Sequence, residues 1–101
     1  MQSYALYLTE LSQEDIYSSQ KFYEEQSPDL GVYFYDSIIV DLDALKFYAG
    51  IHQNYFGFYR MLTKRFPYAI YYDIEDDLIV VHAVLHTRRN IASVEERLAK
   101  S

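Results

Sequence analysis

Residues 59–90 constrain this chain more than any other stretch, because two apolar runs flank a short acidic turn and the second run ends on His86, Arg88 and Arg89. Residues 68–74 and 78–86 have strand length, and Glu75, Asp76 and Asp77 form a polar turn of hairpin size between them. The second run is apolar on both faces, as a central strand of a sheet would be. A hairpin of this kind delivers a histidine and two arginines to one end of a sheet.

With 101 residues, half of them apolar, residues 1–101 suit a single domain with one compact core. Twelve tyrosines and six phenylalanines are a heavy aromatic load. A buried tyrosine needs a partner for its hydroxyl, so many of these rings are expected half exposed or at a contact surface, which points to a protein partner. The chain has no cysteine, so neither a disulfide framework nor a thiolate metal site is available. The first fifteen residues do not pair a basic region with a long apolar stretch, and no apolar run approaches the roughly 20 residues that span a bilayer. A soluble, cytoplasmic protein without membrane attachment is expected.

The formal net charge of −6 argues against nonspecific coating of nucleic acid, where phosphate neutralisation supplies most of the affinity. That average hides an asymmetry. Residues 1–50 hold nine acids against two bases, Lys21 and Lys46, while residues 60–101 hold six acids against seven bases. Basic character is concentrated in the second half.

Residues 3–9 alternate, with Tyr4, Leu6 and Leu8 on one side, and predict a short strand. Ser12 followed by Asp15 resembles a capping box, and Leu11, Ile16 and Tyr23 give a thin helical stripe to about Glu25. Ser27, Pro28 and Asp29 predict the start of a second helix, with Ser as cap, Pro in the first turn and Asp at the positive end of the dipole. Tyr35, Ile38, Ile39, Leu42, Leu45 and Ala49 mark its apolar side, and Asp36, Asp41, Asp43 and Lys46 its wet side. Residues 50–57 read as a loop and residues 58–66 as a strand, while residues 91–101 have helical composition. The expected fold is α+β: an N-terminal strand, a helical hairpin, then a three-stranded antiparallel meander and a final helix, with about four strands in the sheet.

His86, Arg88 and Arg89 are the first functional candidates, since guanidinium groups suit phosphate and a neighbouring histidine can move protons near neutral pH. Equally, His86 can pack at a strand end while the arginines pair with acids of the first helices. Arg60, Lys64 and Arg65 form a possible accessory basic cluster, but on one strand Arg65 points away from the other two. Such charges also protect a strand edge. His52 falls in the loop, and His82 alternates with Val80 and Val84 as a core residue would. No two histidines have metal-ligand spacing, so no metal is expected. Glycine-rich phosphate loops and nucleophile motifs are also missing, so neither a cofactor nor a catalytic residue is assigned.

Lys64-Arg65-Phe66-Pro67-Tyr68-Ala69-Ile70-Tyr71-Tyr72, followed by Ala83-Val84-Leu85-His86 and Arg88-Arg89, resembles the core of ParE-type toxins in the RelE/ParE superfamily of toxin–antitoxin modules. Leu8-Thr9, Asp15-Ile16 and residues 22–28 extend the resemblance into the first half. It implies a bacterial toxin of the plasmid-stabilisation type that arrests growth, held inactive by a cognate antitoxin protein and directed at DNA gyrase. Such a toxin meets nucleic acid only indirectly and is not a nuclease in that role. The resemblance also implies that His86, Arg88, Arg89 and Arg97 carry target binding. Tyr68, Tyr71 and Tyr72, as the lining of an open sheet face, are the expected antitoxin anchors. RelE-type relatives instead cut messenger RNA on the ribosome, usually with a tyrosine near the C-terminus; here the last tyrosine is Tyr72. Ile91 stands where the family often has Pro and Val94 where it often has Trp, so an attenuated toxin that only binds protein is a further alternative.

Overall fold

The computed structural model describes residues 4–101, so Ser3 of the expected first strand lies outside the described residues. The elements run β1 (Ala5–Leu8), α1 (Glu10–Gln26), α2 (Leu30–Tyr48), β2 (Gln53–Tyr55), β3 (Phe58–Leu62), β4 (Tyr68–Glu75), β5 (Leu78–His86) and α3 (Ile91–Leu98). The α+β order follows the sequence, with two differences. The sheet has five strands in the order β1-β5-β4-β3-β2, and β1 pairs parallel with β5, so the sheet is mixed rather than wholly antiparallel. The extra strand comes from the expected loop. Phe56 (φ 54°) and Gly57 (φ 87°) form a left-handed two-residue turn that folds β2 back on β3.

The helix starts also differ from expectation. Thr9, not Ser12, caps α1: its Oγ1 accepts from the Ser12 amide at 3.2 Å, while Ser12 Oγ donates to the Thr9 carbonyl at 2.8 Å. Asp15 is thereby free for another role. At the second helix, Ser27 terminates α1 by donating its amide to the Tyr23 carbonyl. Asp29 (φ 69°) precedes α2 without a side-chain cap bond, so Ser27 is not the cap and Pro28 not the first helical residue. Glu24 does the capping from the preceding helix, its two oxygens accepting from the Asp29 and Gly31 amides at 3.0 Å each. This works because the hairpin is tight. A Cβ on Gly31 would lie 2.6 Å from the Gln20 carbonyl oxygen, so only glycine lets the two backbones approach this closely.

The helical hairpin covers one face of the sheet. Ile16, Phe34, Ile38, Leu42 and Leu45 pack there against Ile70, Tyr72, Ile79 and Val81. The other face is covered by α3, where Val94 and Leu98 meet Ala69, Tyr71, Ala83 and Leu85. Both faces of β4 and β5 are thus removed from water, which explains their unbroken apolar runs. Asp36 and Asp43 lie on the exposed side of α2, but Asp41 is buried. Its Oδ2 accepts from the Lys64 amide at 3.2 Å and secures the β3–β4 connection, so it does not lie on the wet side to which its spacing assigns it.

A bulge in β5 breaks the expected alternation of His82. Tyr71 pairs with Ala83 and Tyr72 with Val81, which leaves His82 as the extra residue and moves Val84 to the face of the helical hairpin. His82 is therefore not a core residue beside Val84. It is partly buried, with Nε2 3.2 Å from Asp73 Oδ2 but without hydrogen-bond alignment, and it meets the Phe58 ring edge-on.

Candidate functional site

The corner where β5 runs into α3 is built by local hydrogen bonds. The Arg88 amide donates to His86 Nδ1 at 3.0 Å and the Arg89 amide to the His86 carbonyl at 3.1 Å, turning the chain tightly after the strand. Asn90 then caps α3, its Oδ1 accepting from the Ser93 amide at 2.8 Å. Since Nδ1 accepts, the neutral His86 ring carries its proton on Nε2. His86 is half-buried with its ring edge-on to Tyr68, whereas Arg88 and Arg89 are exposed.

A cavity of about 210 Å³ opens at this corner, and His86 and Arg89 line it together with Arg60, Tyr71, Tyr55 and Phe56. Arg60 reaches it from β3, directly opposite Tyr71 in the strand register. Its Nε donates to the Tyr71 hydroxyl at 3.1 Å, and its guanidinium stacks 4.9 Å above the Tyr55 ring. Among the described residues no carboxylate pairs with Arg60 or Arg89, and no acid lines the cavity. Two arginines and a histidine thus share one recess of a protein whose formal net charge is −6.

The structure therefore regroups the candidate residues. Arg60 joins His86 and Arg89, although it was expected only as an accessory charge. Lys64 and Arg65 are exposed in the connection after β3 and do not line this cavity; Lys64 borders a separate depression with Tyr48, Ile51 and His52. Arg97 is withdrawn from the surface, its side chain only 10% exposed. Its Nη1 donates to Asp15 Oδ1 at 2.6 Å and its Nη2 to the carbonyl of the bulge residue His82 at 3.1 Å. Asp15 Oδ2 accepts in turn from the Val84 amide at 2.9 Å. One buried ion pair thus ties α1, β5 and α3 together, a structural use for Arg97 rather than an open contact.

Tyr68, Tyr71 and Tyr72 are likewise covered, at 6%, 4% and 0% exposure, so the aromatic face expected to be open to a partner is closed. The helical hairpin covers Tyr68 and Tyr72, and α3 covers Tyr71. Burial raises the Tyr72 hydroxyl above the usual tyrosine value, against the lowering effect of the Gly50 amide that it accepts from at 3.0 Å. The same hydroxyl lies 2.5 Å from His52 Nδ1, and burial holds His52 below the usual histidine value. Tyr23, packed among Phe34, Phe66 and Tyr68, is pushed up to about 12 by desolvation and then by the neighbouring Tyr68.

Tyr55 and Phe56 were missed as site residues. The signal was present in Asn54-Tyr55-Phe56-Gly57, where Asn54 Oδ1 accepts from the Gly57 amide at 3.1 Å and glycine supplies the left-handed turn position.

A family model described as the ParE toxin of the type II toxin-antitoxin system, parDE, matches residues 6–91. A solved structure of the chromosomal ParDE TA system from P. aeruginosa superposes with a TM-score of 0.75 at 13% identity, over 85% of this chain and 98% of that one. No curated protein matches the sequence. The fold is that of a small α+β toxin from a toxin–antitoxin pair. By its sequence, the chain belongs to the ParE toxin family of type II toxin–antitoxin systems.

Proposed function

We propose that this toxin acts in the cytoplasm as a poison of DNA gyrase, held inactive by a cognate antitoxin, with the corner of His86, Arg88 and Arg89 as its target contact. The family match carries this reading. Two observations support the choice of target. No tyrosine follows Tyr72, which is fully buried, so the helical C-terminal segment lacks the aromatic hydroxyl that would assist RNA cleavage. The formal charge of −6 also disfavours a ribosome-bound nuclease. Arg97 contributes by fixing α3 against α1 rather than by touching the target.

For the antitoxin we place the contact on α2 instead of the covered tyrosines. Tyr33, Val40 and Phe47 recur every seven residues and are 50%, 52% and 56% exposed, an apolar stripe along the outside of the helix. Such a stripe suits an amphipathic helix of a partner laid beside it. Among the described residues no helix is long and apolar enough to cross a membrane, so the stripe is not part of a spanning segment.

The test is induced expression in bacteria, with growth, DNA breaks and message integrity scored together, for the native chain and for Arg88→Ala/Arg89→Ala. Growth arrest with DNA breaks, relieved by the double substitution, is expected. Arrest with cleaved messages and intact DNA transfers the chain to the ribonuclease reading, which the proximity of Arg60, Tyr71 and His86 in one cavity favours as the second possibility. No arrest leaves a toxin fold retained for protein binding.

A further inference from the structure

A second recess of about 310 Å³, formed by Phe56, Phe58, Glu95, Leu98 and Ala99, neighbours the basic cavity. Phe56 borders both, and residues of α3 line both, Ile91 and Val94 in the first and Glu95 and Leu98 in the second, so the two recesses follow one another along α3 and are treated as two halves of one groove. One end offers two guanidinium groups without an acid partner and the Nε2 proton of His86; the other is apolar with Glu95 at its side. Glu95 disfavours a polyanion tracking the whole groove, because a phosphate backbone would carry negative charge past it. A ligand charged at one end only has the complementary pattern.

We propose that this groove is a docking site for an extended peptide segment of a partner protein, with a carboxylate held between Arg60 and Arg89 and an apolar side chain seated beside Phe58 and Leu98. Guanidinium forks match carboxylate geometry, and the low exposure of Arg60 between aromatic rings strengthens that pairing. The spacing follows from α3. Its eight residues span about 12 Å, and an extended peptide covers that in about four residues at roughly 3.3 Å each. The inference rests on the β5–α3 corner being a contact surface, and not on which protein is the target.

The test titrates the full-length, isotope-labelled chain with the blocked peptide Ac-Asp-Ala-Ala-Ala-Leu-amide, with its Asn counterpart, and with a four-residue thymidine oligonucleotide, following backbone amide shifts. Saturable shifts at Phe56, Arg89, Ile91 and Leu98 are expected, with the Asn peptide at least fivefold weaker. Arg60→Gln should remove the preference for Asp over Asn, bringing the Asp peptide to the affinity of the Asn peptide. Because Arg60 also stacks on Tyr55, Arg89→Gln at the exposed side provides the same comparison without disturbing the sheet. Equal binding of the two peptides, or no saturable shift in the millimolar range, overturns the proposal. Tighter binding of the oligonucleotide at the same amides overturns it too and makes the groove a nucleic-acid site. The result is independent of the culture assay, since a chain that fails to break DNA can still bind the peptide, and the reverse also holds.

Discussion

Arg89 stands just before α3 and Arg97 in its last turn, yet they occupy opposite electrostatic situations. Arg97 is buried against Asp15 and the His82 carbonyl, with its charge compensated inside the protein. Arg89 is exposed at the edge of a cavity that holds Arg60 and no acid. A buried arginine must be paired, because desolvating an ion costs several kcal/mol, whereas a solvated one can keep its donors for a partner. Pairing and burial, not residue type, separate the interior clamp from the open corner.

The largest expected effect comes from breaking the clamp. Asp15→Ala leaves both Arg97 and the Val84 amide without their acceptor, and loss of one member of a buried pair costs about 3–5 kcal/mol. Chemical denaturation should show this, and Asp15→Leu/Arg97→Met should recover part of the loss, since a packed apolar pair leaves no uncompensated charge. A double variant as unstable as Asp15→Ala would mean that the Val84 amide, not the arginine, dominates. Asp41→Ala should cost less, about 1–3 kcal/mol, because it orphans one amide, that of Lys64, in the β3–β4 connection.

A smaller effect is expected from pH. Burial depresses the folded-state value of His52, so as pH falls through the ordinary histidine value of 6.5 the unfolded chain takes up a proton first. Stability is then full above that value and declines below it. The denaturation midpoint measured from pH 8 to 5 should fall more for the native chain than for His52→Asn. Equal slopes would show that another group sets the dependence. At the alkaline end Tyr23 predicts the opposite sign: the unfolded tyrosine ionises near 10.0 and the folded one near 12, so stability declines as pH rises above 10.0.

The smallest change in stability is expected where the functional change is greatest. Arg88→Ala/Arg89→Ala removes exposed charges and should stay within about 0.5 kcal/mol of the native chain. Toxicity should nonetheless fall. A large loss of stability in this variant would place the two arginines with the clamp and erase the contrast.

The long, strongly patterned segments could be read directly from residue order. The apolar stripe of α2, the hairpin of β4 and β5 and the acidic turn between them all depend on periodicities of neighbouring residues. What was hidden involved partners distant in sequence. The capping of α2 by Glu24 depends on the angle of the helical hairpin, and Ser27-Pro28-Asp29 offers a plausible local start that the closer acceptor displaces. β2 spans only three residues, too few to show alternation, so its strand identity comes from pairing with β3. Asp41 falls on the wet side by helical spacing, but the β3–β4 connection closes over it.

The candidate site divides in the same way. His86, Arg88 and Arg89 were legible because a strand end and the turn after it are fixed by local bonds, and those residues are neighbours in the chain. Arg60 joins them only because β3 lies beside β4 in the sheet, and Arg97 leaves them because Asp15 of α1 and the His82 carbonyl hold it inside. By itself the sequence determined the long helices, the β4–β5 hairpin, the acidic balance and the position of a basic corner, all properties of adjacent residues. Tertiary structure decided which charges are paired and which are left open, because a guanidinium is neutralised by whatever the fold brings within a few ångströms, and Coulomb attraction in a desolvated interior ignores distance along the chain.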